Sequence, residues 1–310
     1  MPTEMFLMVL GAALVHATWN ALVKTDRDRL ALIRVMSLTQ LVLSLCLVPF
    51  VTVPAPESWP YLAASTVLCT GYMLFLNRGY QVADLSLVYP LARGVAPFIV
   101  AVVSIWFLGE QLSQTGILAI LLIGLGITSL ILARGATSLR DWRPILLALV
   151  TGAFIGSYTI VDGLGARAAG SAHGYMIWLS LITALLTVGC VSWLQRDRRT
   201  ALSPRSRNAG IAAGIMSYGS TWVVIWALTL APLAMVSALR ETGIVFAVII
   251  GVVFLKERGE SGAPGFDCPD PGRNHPAQDQ PMIFPARARG VLHVQGRRDY
   301  DRRRLKRGRP

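Results

Sequence analysis

Charge is what this chain has least of. Only 15% of its 310 residues are Asp, Glu, Lys or Arg, where soluble domains carry about 25%. A water-facing globular surface cannot be built from so few charges. With 54% hydrophobic residues and a mean hydropathy of +0.54, the bulk numbers describe an integral membrane protein. Acidic residues are the scarcer kind, 17 against 29 basic ones, for a formal net charge of +12. That excess does not point to nucleic acid, because no basic module interleaved with aromatics accompanies it. Residues 259–310 hold eleven Lys/Arg against six Asp/Glu, and most other positive charge lies in short connections between apolar runs.

Cysteine is rare as well. Cys46, Cys69 and Cys190 lie in apolar runs and Cys268 in a polar tail, with no CxxC or metal-ligand spacing. Buried, inert thiols are the expectation rather than a disulfide framework. HExxH, a P-loop, GxSxG and an EF-hand loop are all missing. Enzyme chemistry therefore has no inventory, and neither cofactor nor metal is expected. The first apolar run lacks the basic leader and small-residue cleavage site of a signal peptide.

What is present is apolar length. Nine segments, about 5–23, 31–51, 60–80, 85–108, 115–133, 143–162, 173–194, 209–230 and 233–255, can each span a bilayer as a helix. Membrane strands would instead be about ten residues long with strict alternation. Short connections predict antiparallel neighbours. Gly152xxxGly156 and Gly210xxxGly214 place paired glycines on one helical face, which permits close backbone approach.

The stretch from Asp84 to Glu110, DLSLVYPLARGVAPFIVAVVSIWFLGE, carries Arg93 well inside its ends, flanked by Pro90 and Pro97. A guanidinium cannot shed its proton, so in hydrocarbon it needs a partner, a wet cavity or a solute. The layout returns as SALRETGIVFAVIIGVVFLKER (237–258). Arg240 falls on Arg93, Phe254 on Phe107, Leu255 on Leu108 and Glu257 on Glu110, at one offset (240 − 93 = 147). The overlay extends upstream without a gap, and LVHATWNALV in segment one is similar to FIGSYTIVDG in segment six. Five helices followed by a second copy place the halves in opposite orientations, an architecture whose site sits at mid-membrane between them. The expected fold is thus an all-α polytopic membrane protein: an inverted repeat of five-helix units, with nine transmembrane helices and a disordered tail. The expected units are 1–134, 135–258 with its fifth helix missing, and the polar basic segment 259–310. An abrupt loss of apolar character after Arg258, where a tenth helix is due, suggests a frameshift or truncation ahead of a natural or lipid-binding tail. Basic residues in alternate connections place the N-terminus outside by the positive-inside rule.

At this point the chain resembles the EamA type of the drug/metabolite transporter superfamily. YPLARGVAPFIVAVVSIWFLGEQLS (89–113) is similar to the family's fourth helix and its exit, and SALRETGIVFAVIIGVVFLKER (237–258) to the ninth. TWNALVK (18–24) and SYTIV (157–161) are similar to the end of the first helix and its copy. The resemblance covers about 1–258 and departs at the tenth helix. It implies a multi-pass carrier of the cell inner membrane for small metabolites, often an exporter of amino acids or related solutes driven by a gradient.

Arg93 and Arg240 are the leading candidates for lining a central cavity and attracting a carboxylate or phosphate; snorkelling to head groups is the plainer account. Glu241 stands where the first half has Gly94. Adjacent helical residues point about 100° apart, so it is expected to meet Arg93 rather than Arg240, as an ion pair, a contact for a cationic solute or a proton-loading group. His16, Trp19 and Asn20 cluster on helix one as a cavity wall or a packing interface. Tyr158, Tyr218 and Trp222 are candidates for the opposite wall. Glu110 and Glu257 read as structural, bonding a neighbouring helix end or a basic loop, and Asp84 and Asp162 as solvated loop or helix-end groups. The expected partners are a small-molecule solute and membrane lipid, with a homodimer left open and no nucleic acid. The leading reading is alternating-access transport. Its rivals are a truncated, non-transporting remnant and a lipid-carrier flippase on the same scaffold.

Overall fold

The computed structural model describes residues 1–24, 29–82, 85–132, 142–194 and 203–253. The expectations for the segment beyond 253, for Asp84 and for most of the basic connections lie outside these residues. Among the described residues there are ten α-helical segments. They are α1 (Thr3–Lys24), α2 (Arg29–Leu47), α3 (Trp59–Val82), α4 (Leu85–Trp106), α5 (Gln114–Leu132), α6 (Trp142–Ala168), α7 (Ala172–Leu194), α8 (Pro204–Leu230), α9 (Leu233–Glu241) and α10 (Gly243–Val253). Two 3-10 turns, Val48–Phe50 and Pro56–Ser58, bridge α2 to α3.

Local chemistry accounts for the boundaries. Pro204 opens α8 behind Ser203, whose hydroxyl accepts from the Ser206 N–H, a combination suited to the unpaired donors of a first turn. α4 runs unbroken through Pro90 and Pro97. Gly170, at φ +72°, lies in the tight link between α6 and α7, where a left-handed residue is tolerated best as glycine.

Two expectations are corrected. Helix six does not end at 162 but continues to Ala168. Asp162 and Arg167 are therefore helical, and Asp162 is buried rather than solvated in a loop. The ninth span is not one helix either. It breaks at Thr242, whose hydroxyl donates to the Leu239 carbonyl at 2.6 Å while its own N–H also turns back to Leu239. Gly243 then restarts the helix hard against α1, where an added Cβ would lie 3.1 Å from the Ala13 carbonyl oxygen.

α6 packs along α3 and α4, α1 along α8 and the α9–α10 pair, and α2 along α7 and α8. The paired glycines act at two of these seams. A Cβ on Gly152 would sit 2.6 Å from the Ala92 oxygen of α4, and one on Gly214 2.9 Å from the Met36 oxygen of α2. Any larger residue would push these backbones apart.

The outside of the bundle is apolar. Phe50, Trp106 and Phe107 are at least 80% exposed, and leucines, valines and isoleucines of α1, α2, α5, α7 and α10 face outward with them. Water would not tolerate so much contiguous apolar surface, but a bilayer does. Five helices are long and apolar enough to cross one: Thr3–Val23, Ala31–Phe50, Ile145–Ala168, Ala172–Trp193 and Pro204–Leu230. The chain is a multi-pass membrane protein. Cys46 and Cys190, expected to be buried, lie instead on this outer face, with Cys69 partly covered.

Candidate functional site

The site is built where the break in the ninth span faces α4. Arg93 and Glu241 are both buried, and the Arg93 Nε donates to the Glu241 carboxylate at 2.5 Å. The second carboxylate oxygen lies 3.5 Å from the Arg240 guanidinium. Neighbouring side chains diverge on a regular helix, which was the reason to expect no such pair. Both residues close α9, and the Glu241 carboxylate nonetheless lies between the two arginines. Among the described residues two guanidiniums thus share the Glu241 carboxylate.

The two arginines are held differently. Arg93 has the short, charge-assisted bond. Arg240 reaches the Tyr158 and Thr159 hydroxyls of α6 only at 3.5 and 3.4 Å, the long end of hydrogen-bond range. Its guanidinium carbon lies 5.8 Å from the centre of the Tyr158 ring, a cation–π distance. Its Nε is buried with no acceptor. Tyr72 of α3 packs edge-on to Tyr158, with centroids 6.1 Å apart, and completes that wall.

On α1, His16 lies in the field of both Arg93 and Arg240. Trp19 stands edge-on to its ring at 4.9 Å, and the buried Trp19 Nε1 has no acceptor. Asn20 bonds within its own helix, its Nδ2 donating to the His16 carbonyl at 2.8 Å. Trp222 is engaged elsewhere. Its Nε1 donates to His173 Nδ1 of α7 at 2.7 Å, and its ring meets Tyr218, which in turn bonds Ser44 of α2. The structure therefore brings Arg93, Arg240, Glu241 and Tyr158 together with His16 beside them, and it holds Trp222 in a separate aromatic group.

A second polar assembly clasps one end of the bundle. After α4, Gly109 takes φ +64° and lets the chain reverse, so that the Glu110 N–H bonds the Ser104 carbonyl. That reversal aims the Glu110 carboxylate at the start of α9, where it accepts from the Leu233 N–H at 2.9 Å. The other oxygen pairs with Arg167 at 2.8 Å. Arg167 in turn donates to the Leu228 and Ala231 carbonyls at 2.9 Å each, where α8 ends. An anion at a helix start and a cation at a helix end each satisfy otherwise orphaned backbone groups. Glu110 does bond a neighbouring helix end, as its position suggested. Arg167 was missed because its helix was drawn too short; the only signal available was a lone basic residue shortly after an apolar run.

Comparison with known proteins bears on the class and the fold. Residues 3–132 match the model of the EamA-like transporter family. The chain therefore carries an EamA-like domain, which belongs to a class of membrane transporters. Among solved structures, one crystal structure matches with a TM-score of 0.64 at 17% identity, covering 84% of this chain and 92% of its own. At that identity it speaks for the fold alone. No curated protein matches.

Proposed function

We propose that this protein is a secondary carrier that moves a small polar or anionic metabolite, an amino acid or a related solute, by alternating access, most simply outward. The observation that carries the reading is Arg240. It is a largely covered permanent cation whose contacts are long, whose buried Nε has no acceptor among the described residues and whose nearest carboxylate is already held by Arg93. Burying such a donor is unfavourable unless something accepts from it, and a solute carboxylate or phosphate would do so. Trp19 Nε1 offers a second unsatisfied buried donor on the facing wall.

The packing supports two related halves, 1–134 and 135–258. If α1 is exchanged for α6, α3 for α8 and α4 for the α9–α10 pair, the seams of α6 with α3 and α4 become those of α1 with α8 and α9–α10. A site between halves related in this way can be opened to either face of the membrane in turn. An interrupted helix at that site is also the usual way to free backbone groups for a solute inside hydrocarbon.

The test is flux in reconstituted vesicles. Metabolite profiling of cells with and without the gene first supplies candidate solutes, and Arg93→Ala and Arg240→Ala are then compared with the parent. Loss of flux in the folded Arg240→Ala protein supports the reading; unchanged flux in both variants eliminates it.

A further inference from the structure

Asp162 belongs to neither polar assembly, yet it is buried inside α6. Among the described residues its one hydrogen bond comes from the Tyr175 hydroxyl of α7, at 3.2 Å. That phenol is placed deliberately close. A Cβ at Gly165, one turn further along α6, would lie 2.6 Å from the Tyr175 hydroxyl oxygen and 2.6 Å from the Tyr61 Cβ of α3. Only a glycine leaves room for the ring to reach the carboxyl.

The cations are engaged elsewhere. Arg93 and Arg240 turn to Glu241, and Arg167 turns to Glu110. Among the described residues Asp162 is therefore a buried carboxyl with no cation at salt-bridge distance. The groups that face it are few. α3 presents the Cys69 thiol and Ser65, whose hydroxyl lies alongside without reaching hydrogen-bond geometry. α7 presents Tyr175. From α9 the field of Arg240 reaches it, with Glu241 and then Arg93 of α4 behind. On α8, Tyr218 turns away to Ser44, and Glu57, in the 3-10 turn packed on α6, is exposed.

Position along the helix completes the case. Tyr158 and Thr159, which touch Arg240, lie one turn before Asp162. Arg167, in the end clasp, follows about 7.5 Å further at 1.5 Å per residue. Asp162 thus stands between the guanidinium cluster and the clasped end of the bundle.

We propose that Asp162 is the proton-binding site of this protein, loaded and unloaded as the clasped end closes and opens. The proposal rests on the carrier reading only for its use in coupling. A carboxylate with one neutral donor is unfavourable in a dry interior, whereas the neutral acid is tolerated. When the Glu110–Arg167 clasp parts, water reaches the carboxyl and takes the proton as hydronium, leaving a carboxylate steadied by Tyr175. When the clasp closes, hydronium returns the proton and water leaves. Asp162 thereby changes charge close to Arg240, and so biases how firmly Arg240 holds an anion.

Infrared difference spectroscopy on the full chain in lipid vesicles, stepped in pH, tests this without knowing the solute. A protonated-carboxyl band that appears as pH falls, disappears in Asp162→Asn and shifts in frequency in Tyr175→Phe is the expected result. The same band persisting in Asp162→Asn, or no such band in the parent protein, overturns it. Tyr175→Phe keeps the carboxyl and guards against a folding defect in Asp162→Asn. A titrating band with silent flux would remove the carrier reading and keep the proton site. Active flux with no titrating band would do the reverse.

Discussion

Two polar assemblies in this bundle use the same chemistry to different ends. In the central cluster, Glu241 is fully buried and shared by two guanidiniums that are 8% and 13% exposed. In the end clasp, Arg167 is 33% exposed, and the pair spends its remaining valences on backbone groups at two helix ends. The clasp is satisfied from within the protein. Beside the cluster, the Arg240 Nε and Trp19 Nε1 donors have no acceptor among the described residues. Where hydrogen-bonding capacity is left over inside a membrane protein, a ligand is the economical explanation; where it is used up, the group holds parts together.

The contrast can be broken most forcefully at Glu241. Glu241→Gln leaves two buried guanidiniums facing each other without their carboxylate, and loss of one partner of a buried pair costs about 3–5 kcal/mol. A large fall in thermal stability in detergent is expected; a variant that melts with the parent would mean the cluster is wetter than described. Arg240→Ala should be gentler on stability and severe on function. Truncating one side of a buried charged contact costs about 2–5 kcal/mol of affinity, about thirty-fold or more in solute binding.

At the clasp, Glu110→Gln should cost only about 1 kcal/mol, because Arg167 is a third exposed and solvent screens the pair. Its clearer signature is access. A cysteine placed at Ala231, 5% exposed in the closed bundle, should react faster with a membrane-impermeant thiol reagent once the clasp is weakened. An unaltered rate would mean that the clasp does not gate that end. The smallest effect belongs to Trp222→Phe, which removes the bond to His173 and should cost about 0.5–1.5 kcal/mol. Flux should be untouched, since this indole sits in the separate aromatic group; a large loss of flux would extend the site to α8.

Much of this was legible before any coordinates. The apolar runs that became helices, the glycine pairs at the seams and the meeting of Arg93 with Glu241 all follow from rules acting over a few residues or from the repeat itself. The misreadings share one cause. A helix ending at 162 makes Asp162 a solvated end group and leaves Arg167 without a role, yet α6 carries on through both while the bundle supplies Tyr175, Glu110 and two helix ends as partners.

By itself the amino-acid order determined that this chain lives in a bilayer as apolar helices, and that a permanent cation falls inside two of its apolar runs. Burial of charge forces a partner but does not name it. Which carboxylate serves which arginine, where the ninth span breaks, and which donors stay unsatisfied were decided by packing. Those outcomes depend on how helices far apart in the chain approach to within a few ångströms, and no local rule carries that information.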